Sequence, residues 1–342
     1  MKYADIKKSV LAQFAMPNGH KVVPFIIGRP GGGKSSCARD IAAELCRIHN
    51  IPSERVIEFN PSLREPSDIL GLPDLSGDYS RWVPAAEFYQ IRKGTGPSVL
   101  IIEELSDASM DMMNAMCRII LDRHAGMLPL SEELYIIASG NRTEDRSGAS
   151  RLSTKLANRM RTLKFDENLE DWVAWASENG IDPTIMAFLT WKPNLLSDFD
   201  PSRSCNPTPR SWEDVSRIPV TLSKSVYREH VEGAVGEGAA AEYIGFRAIV
   251  DNLPDFDAIV DNPKKAEVPG DVSTLYALCC RISQAVTPDT MPAYMTYIER
   301  LAPEFVVMTL RIIGRDKTKA KCRDTSAYTK LAVKHAKLII GC

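Results

Sequence analysis

The sequence lacks the features of a membrane-spanning protein, of a secreted protein and of a protein with a broad basic surface for nucleic acid. No apolar run among its 342 residues reaches the roughly 20 residues that a transmembrane helix needs. The first residues, MKYADIKKSV, are charged and lack the apolar core of a signal peptide. The net charge of -2 provides no chain-wide basic surface, so neither nucleic acid nor a membrane is indicated as a partner.

The cysteine motifs of redox and zinc sites are absent as well. The eight cysteines form no CxxC motif and no cluster with histidine at the spacing of a zinc site. We therefore expect reduced thiols in a cytoplasmic protein without structural zinc. What remains is an ordinary globular composition, 44% hydrophobic and 25% charged, in a chain long enough for two or three domains.

The first half of the chain alternates strand-like and helix-like segments. Apolar residues at helical spacing predict helices over residues 35–50 and 107–121. Strands that alternate with helices favour an α/β fold with a parallel sheet covered on both faces. Short apolar runs predict the strands, over residues 22–28, 55–59, 97–102, 133–139 and 162–165.

Helical patterns dominate after about residue 166. A loop rich in proline and serine, residues 197–210, and a loose segment, residues 251–271, interrupt them. We therefore expect a helical second half that is distinct from the α/β first half.

A glycine-rich loop joins the first predicted strand to the first predicted helix. Its sequence, GRPGGGKS, fits the phosphate-binding pattern G-x-x-x-x-G-K-[ST]. In such a loop the backbone N–H groups surround the phosphates, the lysine reaches the β- and γ-phosphates, and the next hydroxyl binds Mg²⁺. The residues expected to bind ATP and Mg²⁺ are Gly28, Pro30, Gly31, Gly32, Gly33, Lys34, Ser35 and Ser36.

Two carboxylates follow the third predicted strand, in the sequence SVLIIEE. The carboxyl ends of parallel strands face the ligand crevice, so we expect Glu103 and Glu104 beside the nucleotide. Glu103 can support the Mg²⁺ shell together with Ser35, and Glu104 can orient and polarise the attacking water. The sequence therefore predicts ATP hydrolysis as well as ATP binding.

An amide follows the fourth predicted strand, in the sequence ELYIIASGN. At that edge of the sheet, Asn141 can donate to the γ-phosphate and accept from the attacking water. It would then sense which nucleotide is bound. The alternative is a plain turn residue after Gly140.

These motifs together resemble those of the AAA+ ATPases. GRPGGGKS, LIIEE, IIASGN, STKLANRM and NPTPRSW resemble, in this order, Walker A, Walker B, sensor 1, the arginine-finger region and sensor 2. The chain is most similar to the MoxR-type branch, through FNPSLREPSDILG at residues 59–71. The resemblance covers residues 20–220.

The resemblance implies a particular domain organisation. Residues 1–165 would form a P-loop AAA+ αβα sandwich with a parallel five-stranded sheet. Residues 166–271 would form a helical lid with loop segments, and residues 272–342 its C-terminal helical extension. Residues 123–135 would include a β-hairpin that points toward the pore of a ring.

The resemblance also implies residue roles. Glu104 would be the catalytic glutamate and Asn141 the sensor 1 residue. Two positions depart from the pattern of the family. Glu103 stands where aspartate is usual, so we expect that hydrolysis can be slow, and Asp107 stands where MoxR-type proteins tend to carry arginine.

The remaining roles belong to arginines. Arg159 would be the arginine finger, which reaches the nucleotide of the neighbouring subunit, with Arg151 and Arg161 as nearby rivals. Arg210 would be the sensor 2 arginine. An arginine supplied in trans makes hydrolysis depend on assembly, and head-to-tail contacts that close form rings.

We therefore expect a ring-forming ATP hydrolase, with a hexamer as the first choice, that remodels or activates a protein partner as a chaperone does. The MoxR resemblance implies a partner with a von Willebrand factor A (vWA) domain. Three alternatives stay open. They are a nucleic-acid-associated motor or loader, which nucleic acid would stimulate; a P-loop kinase, which would be a monomer or dimer; and a nucleotide-gated assembly protein that hydrolyses little.

Overall fold

The computed structural model describes residues 1–145, 152–200, 202–251, 253 and 256–340. The chain divides into two compact units, Met1–Asn168 and Leu169–Cys342. The division of the second half into a lid and a C-terminal extension stays a prediction.

The first unit alternates strands and helices. Its strands are β1 Val23–Gly28, β2 Val56–Phe59, β3 Leu72–Asp74, β4 Arg81–Val83, β5 Ser98–Ile102, β6 His124–Ala125, β7 Leu128–Pro129, β8 Leu134–Asn141 and β9 Met160–Lys164. Its α-helices are α1 Tyr3–Phe14, α2 Lys34–His49, α3 Pro66–Leu70, α4 Ala86–Tyr89, α5 Met110–Asp122 and α6 Thr154–Ala157.

The main sheet has five strands in the order β2–β5–β8–β1–β9. Every neighbouring pair is parallel. These are the five strands that the apolar runs predict, so the predicted parallel sheet is confirmed. Because all strands point the same way, their carboxyl ends lie along one edge of the sheet.

Successive residues of each strand face opposite sides of the sheet, and both sides are covered. On one side, Ile26 and Ile137 pack in a cluster with residues of α1 and α2. On the other side, Phe25 and Leu100 pack in a cluster with residues of α5. The first unit is therefore an αβα sandwich, as expected.

Two elements of the first unit are not evident from the periodicity. Helix α1 buries Ile6 and Val10 against the sheet. Strands β3 and β4 form an antiparallel hairpin in the chain segment that connects β2 to β5. A second hairpin, β6–β7, lies within residues 123–135, where a hairpin was expected.

The second unit is helical. One core cluster of this unit is built around Phe188, Trp212 and Tyr243, and the Trp212 Nε1–H donates to the Leu195 carbonyl at 2.7 Å. The helices are α7 Leu169–Glu178, α8 Pro183–Trp191, α9 Pro209–Arg217, α10 Lys224–Val235, α11 Glu237–Asp251, α12 Asp257–Asp261, α13 Val272–Ala285, α14 Met291–Ile298, α15 Pro303–Arg315, α16 Ala320–Arg323, α17 Ser326–Lys334 and α18 Ala336–Ile340.

Helix α12 lies in the segment 251–271, which the sequence suggested was loose; its apolar residue Ile259 is buried and supplies the packing that the short helix needs. Across the described ranges, no helix combines the length and the apolar character that crossing a membrane requires.

Candidate functional site

The glycine-rich loop runs from the last residue of β1, Gly28, to the first residue of α2, Lys34. Gly33 has a φ of 104°, in the left-handed region that favours glycine. Ser35 and Ser36 follow in the first turn of α2. The loop thus has the strand–loop–helix geometry in which backbone N–H groups bind phosphates.

Lys34 is buried inside its own loop. Its Nζ donates to the Gly28 carbonyl at 3.0 Å, to the Arg29 carbonyl at 2.6 Å and to Asn141 Oδ1 at 2.9 Å. The sheet register brings Asn141 to this position, because Asn141 on β8 lies opposite Gly28 on β1. The predicted phosphate lysine and the predicted sensor therefore meet at one edge of the sheet.

Asn141 also contacts the turn that follows β5. Its Nδ2 donates to Asp107 Oδ2 at 2.6 Å, and its backbone N–H donates to Ser106 Oγ at 2.8 Å. The other oxygen, Asp107 Oδ1, is buried and has no hydrogen-bond partner among the residues that the structure describes. Burial raises the pKa of Asp107 above its ordinary value, and the nearby Glu104 carboxylate adds to the shift.

Glu104 has a strained backbone and an engaged side chain. Its φ of 52° is in the left-handed region, which is uncommon for a residue other than glycine or asparagine. Its Oε2 accepts from Asn60 Nδ2 at 3.0 Å and from Ser62 Oγ at 3.1 Å. Asn60 directly follows β2, so the end of the neighbouring strand holds this carboxylate.

Glu103 is paired with a cation of α2. Its Oε1 accepts from Arg39 Nη2 at 3.0 Å, and the same guanidinium binds both oxygens of Glu58. The hydrogen bond to Glu58 raises the pKa of Arg39. Arg39 lies one helical turn after Ser35. A role for Glu103 at the metal stays a prediction, and Arg39 is the group that already neutralises its charge.

The segment after β9 lies against the phosphate loop. Arg142 Nη2 holds this segment, donating to the Phe165 carbonyl and to Asp166 Oδ1, both at 2.8 Å. Glu167 Oε1 lies so close to Gly32 that the Glu167 side chain would have to move to admit any side chain at position 32. This oxygen is buried and accepts no hydrogen bond within the described part of the chain. A carboxylate is therefore packed against the loop that would hold the phosphates.

The arginines differ in their engagement. Arg159 is exposed between α6 and β9, and the described residues include no hydrogen-bond or ion-pair partner for its guanidinium. Arg161 Nη1 donates to Gln13 Oε1 at 3.0 Å. Arg210 is exposed at the second residue of α9, in the other unit. Arg151 lies outside the described residues.

Sequence reasoning missed Asn60, Arg39, Asp107 and Glu167 as parts of this site. Asn60 could have been found, because it follows a predicted strand in the same way that Glu103 does. The other three carry no local signal, since their contacts depend on how α2 and the turns after β5 and β9 fold back on the sheet.

The comparison with protein families identifies the region that carries the site. Residues 24–160 match the model of the AAA domain, dynein-related subfamily. The match begins in β1 and ends at the first residue of β9, and it includes the phosphate loop, both glutamates and Asn141. No curated protein matches the chain.

Solved structures that match this chain include the RuvB Holliday junction branch migration motor of Thermotoga maritima. It shares 18% identity, with 87% of each chain covered and a TM-score of 0.39. A DNA polymerase III gamma subunit-related protein of Thermotoga maritima shares 9% identity over 99% of this chain and 91% of that one, with a TM-score of 0.32. Hsp104, solved in a closed state with ATPγS and casein, shares 14% identity over 99% of this chain and 55% of that one, with a TM-score of 0.39.

The family match agrees with the parallel sheet and its phosphate loop. Residues 24–160 thus match an AAA domain, and the first unit of this chain, which contains them, is an αβα sandwich with a phosphate-binding loop.

Proposed function

We propose that this protein is an ATP hydrolase that assembles into a ring and remodels or activates a protein partner, as MoxR-type chaperones do. One observation carries the proposal. The phosphate lysine Lys34, the amide of Asn141 and the strained Glu104 occupy the carboxyl edge of one parallel sheet. A cytoplasmic location with reduced thiols is part of the same proposal.

The residues of the loop fit a nucleotide bound with Mg²⁺. The loop provides backbone N–H groups, a lysine whose Nζ now contacts the loop carbonyls, and the hydroxyl of Ser35 at the start of α2. Ser35 and Glu103 would hold the metal, which neutralises negative charge on the phosphates. Lys34 would exchange its carbonyl partners for phosphate oxygens.

Glu104 is the residue that we propose activates water. In hydrolysis a water oxygen bonds to the γ-phosphorus, the bond to the β,γ-bridging oxygen breaks, and ADP and phosphate leave. A carboxylate near the water accepts its hydrogen bond and then its proton. In the present conformation Asn60 and Ser62 hold Glu104, so it must leave them to act.

We propose Arg159 as the arginine finger of a ring. Its exposure and the absence of a partner in the described residues leave the guanidinium available to a neighbouring subunit, whereas Arg161 is engaged with Gln13. Arg210 would act as the sensor 2 arginine. A hexamer is the ring size that the MoxR resemblance implies.

Exposed apolar residues on the β3–β4 hairpin support the proposal of a protein partner. Leu72, Leu75, Tyr79 and Trp82 lie on it or in its connecting loop, and each side chain is exposed. Exposed apolar clusters of this kind occur at protein interaction sites. Met127, at the tip of the β6–β7 hairpin, is also exposed and would face a pore. A vWA-domain protein is the partner that the resemblance implies.

The test is the native mass of purified Glu104→Gln protein with and without MgATP. This change keeps the side-chain shape and its hydrogen bonds but removes the base, so ATP should bind and persist. We expect a closed oligomer with MgATP and a smaller species without it.

Lys34→Ala protein is the matched control. It lacks the phosphate lysine and should stay small under both conditions, while wild-type protein should hydrolyse ATP. A Glu104→Gln monomer that binds ATP tightly would contradict the ring mechanism and favour a kinase or a solitary switch.

A further inference from the structure

The side-chain amide of Asn141 lies between one group that only donates and one that only accepts hydrogen bonds. Lys34 Nζ carries three N–H donors and no acceptor. The ionised Asp107 carboxylate has acceptors only. The two contacts, 2.9 Å to Lys34 and 2.6 Å to Asp107, engage opposite atoms of the amide.

This arrangement fixes which way the amide points. The oxygen and nitrogen of an asparagine are ordinarily hard to distinguish, and the hydrogen-bond network decides between them. Here both neighbours require the same orientation, with Nδ2 toward Asp107 and Oδ1 toward Lys34. A flipped amide would place a donor against Lys34 and an acceptor against Asp107. Asn141 therefore presents an acceptor to the phosphate loop.

We propose that Asp107 is a positioning residue that makes Asn141 a hydrogen-bond acceptor for the attacking water instead of a donor to the γ-phosphate. The inference rests on the proposed ATP hydrolysis and goes beyond it, because the sequence alone allows the amide both roles. It also gives a function to Asp107, whose position carries arginine in the MoxR-type pattern.

Lys34 and Asn141 would act in sequence. When Lys34 moves to the phosphates, Oδ1 of Asn141 loses its donor while Nδ2 stays on Asp107. A water can then donate one hydrogen to that Oδ1 and the other to Glu104, which turns its oxygen lone pair toward the γ-phosphorus. Glu104 takes the proton as the oxygen–phosphorus bond forms and ADP leaves.

The partial burial of Asp107 and its unpaired Oδ1 support a functional reason for this carboxylate. Oδ1 is buried without a donor among the described residues, and burial raises the pKa of the group. An unpaired buried oxygen destabilises the fold, and an uncharged residue would avoid this cost. Of the two carboxylate oxygens of Asp107, only Oδ2 is paired among the described residues, and it is the oxygen that orients Asn141.

The test exchanges the two side chains. Asn141→Asp alone puts two carboxylates in contact, and we expect kcat to fall by roughly 100-fold or more. Asn141→Asp with Asp107→Asn restores the hydrogen bond in the reverse direction, keeps the charge of the pair, and keeps an acceptor toward Lys34. We expect this double variant to regain at least about tenfold in kcat at saturating MgATP.

Two outcomes decide the proposal. If Asn141 serves as an acceptor, the exchange restores kcat. If it must donate to the γ-phosphate, the double variant stays as slow as Asn141→Asp, and the proposal is wrong. Relief of charge repulsion alone would restore the melting temperature and ATP affinity of the double variant but leave kcat low. All three quantities are therefore measured on each protein.

A second measurement does not depend on hydrolysis. In the nucleotide-free protein, the side-chain amide resonances of Asn141, assigned through Asn141→Ala, should shift on Asp107→Asn. They should stay in place on Asp111→Asn, which changes an exposed carboxylate at the start of α5. An unchanged spectrum in Asp107→Asn would remove the basis of the proposal. A wild-type protein that hydrolyses no ATP, with a shifted amide, would instead contradict the proposed function and with it the role in water attack, while the orientation of Asn141 by Asp107 would stand.

Discussion

Mixing two inactive variants tests whether Arg159 acts on the neighbouring subunit. Arg159→Ala keeps an intact nucleotide site and lacks the proposed finger. Glu104→Gln keeps the finger and lacks the base. Each variant alone should be inactive, because removing a trans arginine lowers kcat by about 10³-fold or more and the second change removes the activating carboxylate.

The structure predicts a small effect of Arg159→Ala on stability. Arg159 is exposed and has no side-chain partner within the described ranges, so its removal should change the free energy of unfolding by no more than about 0.5 kcal/mol. Its backbone N–H donates to the Leu156 carbonyl at 3.0 Å, and alanine keeps this bond. The loss of activity should therefore not come from unfolding, and ATP affinity should be preserved.

The mixture should regain activity in proportion to its interfaces. In a random 1:1 ring, an active interface needs a site from an Arg159→Ala subunit and a finger from a Glu104→Gln subunit. About one quarter of the interfaces meet both conditions, whatever the ring size. Steady-state ATPase of the remixed protein should approach about one quarter of the wild-type rate if interfaces act independently.

The result that refutes this reasoning is a mixture with no more activity than the sum of its parts, although native mass shows mixed rings. Arg159 would then act within its own subunit or not at all. Arg161→Ala serves as the comparison, because the guanidinium of Arg161 is engaged with Gln13 in its own subunit. Any ATPase activity that this variant loses should not be regained by the same mixing.

Three further predictions follow from the site. Asn60→Ala should raise the basal ATPase rate several-fold, because it frees Glu104 from a charge-assisted hydrogen bond; an unchanged rate with unchanged ATP affinity would show that this contact does not restrain Glu104. Glu167→Gln should lower the Kd for ATP in a calorimetric titration, since it removes a negative charge packed against Gly32; a higher Kd would mean that the carboxylate supports the loop. Asp107→Asn should melt at a higher temperature than wild type at neutral pH. The pKa of Asp107 is raised in the folded state, so its protonated form stabilises the folded wild-type protein at low pH. This stabilisation is lost as the pH rises through the folded pKa. The difference in melting temperature between the two proteins should therefore shrink in mild acid.

The strands and the phosphate loop could be predicted from the sequence because their signals are local. Buried parallel strands appear as short apolar runs, and the loop has a fixed spacing between the end of β1 and Lys34. The positions of Glu103, Glu104 and Asn141 at one edge also follow, because parallel strands place their carboxyl ends together. The match of residues 24–160 to an AAA domain agrees with that reading.

Some elements escaped prediction for a physical reason. The hairpin strands β3 and β4 are three residues each and largely exposed, so they have neither the length nor the apolar alternation of a buried strand. The hairpin at residues 123–135 was expected only through the family resemblance.

What the sequence by itself determined is therefore the nucleotide loop, the strands and the side chains that reach the edge of the sheet. Tertiary structure decided which of those side chains touch. Asn141 lies 107 residues after Lys34 and 34 after Asp107, and these contacts exist because β8 lies between β5 and β1. Hydrogen bonds require their atoms within about 3 Å of each other, and strand order, which no local pattern encodes, brings them to that distance.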